Sequence, residues 1–433
     1  MGMTLEAFQK WLDNYLNFEK TQTKNIFWLE SMKFLAEKLG NPQDKIKCIH
    51  VAGSKGKGSC SSMIASIISR CGFKCGVYSS PHISDFRERI TLNGAFFPDE
   101  IYEKSAEELT KTVDSIPLSE LPASRPLTWF ELVTLFSFLC YKNAGCDWVV
   151  YETGLGGRLD STNIVKPLVT VLMPIELEHT EFLGDTIEKI AGEKAGIIKQ
   201  NTPAVIALQN FKDAENVFEA KCRKMNAESI FVKDKLSKLE YKYDENGKMA
   251  VSLTINNEVY SADLKLPGKV QAQNAATAIL AVKKVLPEIS VTQINQGLSE
   301  ATIPGRFEIH RNIILDGAHT VKSISNTIQT LKEIFPHKKY HLLFAIAGDK
   351  DINDIIPLFK NQFETITFTQ PETVRHCDSS KAFKIAESLK IPSVLKKNLT
   401  EAFSTLRTKL KNDDILLVTG SFYLVSEVKN LFR

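Results

Sequence analysis

Among its eight cysteines, Cys48, Cys60, Cys71, Cys75, Cys140, Cys146, Cys222 and Cys377, the sequence has no CxxC pair. Cys71 and Cys75 are the closest two, and no second Cys/His pair follows at zinc-site spacing, so the thiols read as small reduced core residues. Charge of one sign is also lacking. Lys plus Arg number 54 against 51 Asp plus Glu, a net charge of +3 over 433 residues, too little to argue for nucleic acid or an anionic membrane. No run approaches the roughly 18 apolar residues of a membrane span; the best, Leu132–Tyr141, is broken by Thr134 and Ser137. The N-terminal stretch MGMTLEAFQKWLDNYL carries acidic residues and no apolar centre, unlike a secretory signal. Repeats at a fixed period and low-complexity tracts are absent as well, which sets aside solenoids and disordered linkers. The expectation is a cytoplasmic protein with no nucleic-acid or membrane partner.

What is present is ordinary globular composition, 43% hydrophobic and 24% charged, over a length that suits two or three domains at roughly 150 residues each. Residues 4–39 read as helices, with Phe8, Leu12 and Leu16 on one stripe. Lys45–Ala52 reads as a strand, followed by a glycine-rich turn, a helix over Ser61–Arg70 and a second strand at Cys75–Tyr78. That is a βαβ unit and implies a parallel sheet. Further buried-looking strands follow at Trp148–Tyr151, Leu168–Met173 and Ala204–Ala207. Residues 229–266 alternate polar and apolar around Asn246-Gly247, which predicts a small antiparallel insertion with a hairpin turn. An alanine-rich helix near Asn274–Val285 comes next. After Pro304-Gly305 a second α/β alternation begins, with strands at Ile313–Leu315, His341–Ala345, Thr365–Thr369 and Ile415–Val418. The fold class expected is α/β: an N-terminal mostly parallel sheet domain of P-loop type over 1–300, and a smaller Rossmann-like α/β domain over 301–433.

The strongest chemical signal is Gly53-Ser54-Lys55-Gly56-Lys57-Gly58-Ser59, directly after a strand and directly before a helix. Three glycines let the backbone curl so that N–H groups face phosphate oxygens. The helix start adds its dipole, Lys57 a point charge, and Ser59 a hydroxyl for Mg²⁺. Such a run is more often a plain surface loop, and it departs from the strict P-loop spacing; its strand–helix setting favours phosphate binding. Glu152 ends the apolar run WVVYE, a costly place for a carboxylate unless it meets a cation. A salt-bridged structural acid is the plainer alternative. The glycines of Gly154-Leu155-Gly156-Gly157-Arg158 again allow a close approach to a ligand.

VAGSKGKGS, SSPHISDFRERITLNG and YETGLGGRLDSTNIV, then EHTEFLGDTIEKIAGEKAGIIK, LPGKVQAQNAATAI, PGRFEI, LDGAHT and TGSFYLVSEV, resemble the folylpolyglutamate synthases within the wider group of ATP-dependent Mur ligases. The blocks run in the family's order from residue 50 to residue 428, so nearly the whole chain is covered. The resemblance implies an ATP-binding loop over Gly53–Ser59 and two Mg²⁺ sites held by Ser59, Ser80, Glu152, His179 and Lys194, the last as a carbamate. Spacing alone reads Lys194 as a helix-surface lysine and His179 as a lone residue at a strand's C-terminal end. It also implies nucleotide contacts from Asn274, Arg306, Asp316 and His319, each of which alone reads as a turn or cap residue.

The implied reaction is transfer of the ATP γ-phosphoryl group to a folate carboxylate, followed by attack of L-glutamate on the acyl phosphate, in a monomeric chain. Lys57, Glu152, His179 and Lys194 are the residues expected to carry it. The resemblance is compatible with dihydropteroate as a second acceptor. A Mur-type cell-wall ligase and a non-ligase P-loop NTPase are the competing readings. Four positions depart from the family pattern: Lys55 for Asn, Glu178 for Asp, Val270 for His, and Thr320 for the Asn after His319.

Overall fold

A computed structural model of the chain describes residues 2–17, 29–244, 246–346, 352–372 and 377–432. The helical N-terminus is two helices, Leu5–Leu12 and Leu29–Lys38; residues 18–28 of that expected stretch lie outside the described residues. Thr4 caps the first helix, and Phe8 and Leu12 are buried beneath it. Leu16 does not continue the stripe. The helix stops before Asp13, the Asn14 side chain bonds back to the Trp11 carbonyl at 3.1 Å, and Leu16 instead bridges Thr128. Short amide and carboxylate side chains compete with the helix ladder in this way.

The N-terminal sheet has seven strands: β1 (Lys47–Ala52), β2 (Cys75–Tyr78), β3 (Ile90–Leu92), β4 (Trp148–Glu152), β5 (Val169–Leu172), β6 (Ala204–Ile206) and β7 (Ser229–Phe231), in the order β3-β2-β4-β1-β5-β6-β7. Only β3 runs antiparallel, against β2. Strand residues alternate between two cores, as a pleated strand buried on both faces requires. Ile49, Val51 and Val150 meet Met63, Ile64 and Ile67 of the helix Lys57–Arg70 and Ala275 and Ile279 of the helix Lys269–Val285. Cys48, Val149 and Tyr151 meet Phe136 and Leu139 on the opposite face. Those two belong to the helix Trp129–Asn143, which Thr128 and Glu131 start with a capping box. This helix is apolar all round because it is buried all round, and no described helix is long and apolar enough to cross a membrane.

One sequence expectation changes here. Ser229–Phe231 is not part of the antiparallel insertion but the parallel edge strand of the large sheet, with Ile230 opposite Val205. Three residues are too few for alternation to distinguish the two settings. The insertion itself is β8 (Leu236–Tyr243), β9 (Met249–Ile255) and β10 (Glu258–Leu264), paired in the order β10-β9-β8. Its first turn contains Asn246-Gly247, with Gly247 at φ 80°. Asp244 Oδ1 organises it by accepting from the Asn246 and Lys248 N–H groups.

The C-terminal sheet is β11 (Glu308–His310), β12 (Ile313–Asp316), β13 (Lys339–Phe344), β14 (Thr365–Gln370), β15 (Ser393–Asn398) and β16 (Asp414–Thr419), in the order β11-β12-β16-β13-β14-β15. Again one edge strand, β11, is antiparallel. Edge strands β3, β11 and β15 carry no apolar run long enough to be read from sequence. The insertion joins the two halves: Tyr241 Oη lies 3.4 Å from Glu333 Oε2, and the Gly247 turn rests on Ile309 and Ile334.

Candidate active site

Parallel strands deliver their C-terminal ends to one edge of the sheet, where a cleft of about 2210 Å³ opens between the two halves of the chain. β1, in the middle of the sheet, feeds the glycine loop. Gly53 (φ 153°) and Gly56 (φ 82°) take backbone conformations suited to glycine. A Cβ on Gly53 would stand 2.5 Å from Met173 Cβ, and one on Gly56 would stand 2.8 Å from Asn274 Oδ1. The N–H groups of Ser54 and Lys55 donate to the Pro174 carbonyl at 2.9 and 3.2 Å. The amides available to an anion are therefore those of the helix start at Lys57–Ser59, which have no acceptor within the helix.

Glu152 closes β4 next to this loop. It is buried, accepts a bond from the Ser80 N–H, and its Oε2 is 3.3 Å from where a Gly58 Cβ would stand. Burial raises its pKa to about 7, and the charges of Lys57 and Arg306 only partly offset that. A carboxyl group pushed this far is short of cationic neighbours. Ser59, buried at the helix start, and Ser80, just after β2, line the same cleft, and the Ser80 N–H bonds Glu152. Among the described residues no three His, Cys, Asp or Glu side chains gather as a metal cage. One carboxylate with hydroxyl groups in a cleft suits Mg²⁺, which keeps water and takes phosphate oxygens as ligands.

Lys194 overturns its surface reading. It ends the helix Ile187–Lys194 with only 2% of its surface exposed, because the last turn packs under the glycine loop. Its Nζ donates to the Gly53 carbonyl at 2.9 Å, and Lys57 Nζ donates to the same oxygen at 2.9 Å. Glu178 lies between two ammonium groups, 3.3 Å from Lys194 Nζ and 3.3 Å from Lys55 Nζ. Burial works to raise the Glu178 pKa, yet Lys194, Lys55 and Lys57 together bring it down to about 2. Burial lowers Lys194 to about 8, with Glu178 acting against the shift. Lys55 and Glu178, both departures from the family pattern, are thus one ion pair. His179 is not at a strand end. β5 stops at Leu172, and His179, seven positions on, takes the N-cap position of the short helix Thr180–Leu183 at φ 48°, exposed to the cleft.

The far wall comes from the C-terminal half. Arg306 places its guanidinium 4.6 Å from the centre of the Phe422 ring, and a Cβ on Gly317 would collide with that ring at 2.4 Å. Asp316 is buried at the end of β12, and its carboxylate accepts from the Phe307 and Ala318 N–H groups, each at 2.8 Å, and from Thr327 Oγ1. His319 Nδ1 lies 2.8 Å from the Gly317 carbonyl. Thr320 caps the helix Val321–Ile334 through Ser323, so this departure from Asn keeps a capping side chain. Asn274 is buried beside Gly56 and bonds Gln271, and Val270 lies half-exposed in the first turn of the same helix. Fourteen of the fifteen candidate residues line this one cleft, and the fifteenth, Gly53, offers its carbonyl to Lys57 and Lys194, which do.

Sequence alone does not mark Asp160. Largely buried at the edge of the cleft, it accepts from the N–H groups of Gly154 (2.8 Å), Leu155 (2.9 Å) and Thr162 (3.0 Å) and so shapes the loop after Glu152. Thr162 Oγ1 in turn lies 2.8 Å from His50 Nε2 on β1. The signal was an Asp and a Thr two residues apart after a glycine loop, a pattern shared with ordinary turns. Sequence does not mark Phe130 either, yet a Cβ on Gly154 would stand 2.4 Å from its ring.

Comparison with known proteins places this cleft in context. The Mur ligase middle domain matches residues 51–282, and the Mur ligase glutamate ligase domain matches residues 305–422. The chain is 32% identical over 417 residues to the dihydrofolate synthase/folylpolyglutamate synthase of Bacillus subtilis (strain 168), covering 94% of this chain and 95% of the relative. A Mycobacterium tuberculosis folylpolyglutamate synthase complexed with ADP superposes with a TM-score of 0.89 at 27% identity, over 98% of this chain and 97% of that one. E. coli FolC in complex with DHPP and ADP superposes with a TM-score of 0.83 at 27% identity, over 98% and 97% of the two chains.

Proposed function

The chain belongs to the dihydrofolate synthase/folylpolyglutamate synthase family of Mur ligases, and from that premise we propose that it joins L-glutamate to a folate carboxylate at the expense of ATP. The observation that carries the proposal is the convergence of Lys57 and Lys194 on the Gly53 carbonyl, beside a buried Glu152 whose carboxyl is short of cations.

The γ-phosphoryl group passes from ATP to the terminal carboxylate of the folate, giving an acyl phosphate and ADP. The amine of L-glutamate then attacks the acyl carbon, and phosphate leaves from the tetrahedral intermediate. No nucleophilic side chain is needed. The protein brings two anions together and offsets their repulsion. The glycine loop and the helix start at Lys57–Ser59 take the phosphates, Lys57 supplies charge from the N-terminal half, and Arg306 supplies it from the C-terminal half. Asn274, Asp316 and His319 line the cleft and would receive the nucleoside.

Ser59, Ser80 and Glu152 would hold one Mg²⁺, and His179 with Lys194 a second. Bound there, Mg²⁺ supplies charge neutralisation between phosphate and carboxylate oxygens. For Lys194 to take part it must become an acceptor. Its neutral amine adds to CO₂, releasing a proton and leaving a carbamate anion. The lowered pKa of about 8 leaves more of the amine neutral than an exposed lysine would have. The new anion would face Glu178, which Lys55 already partners at 3.3 Å.

The test is ADP release by the purified protein. It should require both a folate and L-glutamate; release without either would make this a plain NTPase, and release driven by a UDP-linked peptide would make it a cell-wall ligase. The names of the B. subtilis and E. coli relatives carry both synthase activities, which favours dihydropteroate as a second acceptor. The same assay with dihydropteroate in place of folate decides that point.

A further inference from the structure

The loop that follows Glu152 and the helix end that carries Lys194 are tied through one buried side chain. Asn163 Nδ2 donates to the Arg158 carbonyl at 2.9 Å and to the Gly196 carbonyl at 3.2 Å. The first acceptor is on the loop; the second lies just past Lys194. The remaining polar atoms of Asn163 are also engaged, because Lys199 Nζ donates to its Oδ1 at 2.7 Å and to its backbone oxygen at 2.8 Å.

Between the two segments there is almost no side-chain padding. The Arg158 N–H donates to the Glu193 carbonyl at 2.7 Å. A Cβ on Gly196 would stand 2.4 Å from Arg158 Cα, and one on Gly157 would stand 3.0 Å from Lys194 Cα. Backbone packed on backbone cannot adjust by changing rotamers, so wherever Asn163 holds the loop, the Lys194 main chain follows. Asp160 and Ser161 face the cleft, whereas Asn163 spends both of its donors on the two carbonyls. An isosteric carboxylate has no donors to offer them.

We infer that Asn163 is a positioning residue for the reaction: it sets the helix end so that Lys194 Nζ arrives at the Gly53 carbonyl. The inference rests on the reading of Lys194 as a metal-side group. A purely architectural Asn would cost stability when replaced and leave metal binding by the folded protein alone. A positioning Asn acts on the metal.

The experiment is Asn163→Asp in the full chain, with Mn²⁺ as the probe. Free Mn²⁺ is followed by electron paramagnetic resonance in the presence of ADP, alongside the Mg²⁺ concentration needed for half-maximal ADP release with folate and glutamate. Loss of an outer-shell partner weakens metal binding by about 10–100-fold, and a shift of that size is expected in both readouts, with ADP affinity nearly unchanged. A folded variant that titrates with Mn²⁺ as the wild type does would overturn the inference. Should Asn163→Asp not fold, Lys199→Met leaves both Asn163 donors in place and removes only their anchor. A smaller shift in the same direction is then expected, and no shift overturns the inference. ¹³C NMR of the wild type in labelled bicarbonate tests the carbamate separately. A missing carbamate signal would sink that part of the functional reading, while the Mn²⁺ titration would still decide the role of Asn163.

Discussion

Lys194 and Gly53 are 141 positions apart, and the Lys194 ammonium donates to the Gly53 carbonyl at 2.9 Å in a buried setting. Lys57 donates to the same oxygen at the same distance. Two like charges on one acceptor repel, Glu178 at 3.3 Å from Lys194 Nζ offsets them only in part, and the arrangement concentrates positive charge where ATP phosphates would sit.

Lys57→Ala should leave the fold intact and cut folate- and glutamate-dependent ADP release by at least about 100-fold, the scale of losing one preorganised charge at a developing anion. Circular dichroism checks the fold and steady-state ADP release checks the rate. Ligation at wild-type rate would remove Lys57 from the phosphate site.

Glu152→Gln should change how the ligand-free protein responds to pH. The Glu152 pKa rises on folding from an ordinary 4.5 to about 7. The folded state therefore holds a proton that the unfolded chain has released. The stability this contributes is complete below 4.5 and is lost as pH rises through 7. Between those limits the wild type should lose on the order of 3 kcal/mol relative to Glu152→Gln, as read from urea midpoints. In the wild type, Mg²⁺ binding should strengthen as pH rises past about 7, because the metal must displace that proton. Parallel stability profiles for the two proteins would rule out the shift.

Lys194→Ala should be nearly inactive, and acetate filling the vacated space should restore part of the rate. Lys194→Arg keeps the positive charge and cannot form the same carbamate, so it should stay inactive with or without acetate. Rates over a range of acetate concentrations make the comparison. A fully active Lys194→Arg enzyme would mean that the lysine serves as a cation.

Gly247→Ala should lower stability by about 1–3 kcal/mol. The residue sits at φ 80°, and an added Cβ would stand 2.5 Å from Ile309 Cδ1 and 3.0 Å from Ile334 Cγ2. The strain falls where the insertion rests on the C-terminal half, so ADP release should fall along with the urea midpoint. An unchanged midpoint would show that the turn can shift without cost.

Local chemistry carried much of the fold and the family in the sequence itself. β1, β2 and β4 are short apolar runs bounded by polar turns, the glycine loop stands between a strand and a helix, and Glu152 is the one charge in the apolar run that it ends. Each signal is complete within about ten neighbouring residues, as strand and turn propensities are. Tertiary structure alone decided what depends on distant contacts. Leu16 left its stripe because Thr128 offered a backbone partner; Ser229–Phe231 joined the large sheet because β6 offered an open edge. Lys194 has the sequence context of any helix-terminal lysine. Its burial comes from Gly53 above it and from Gly157 and Gly196, whose missing side chains let the Asn163 loop close against the helix end. Burial and electrostatic potential are sums over such contacts, and no window of sequence contains them.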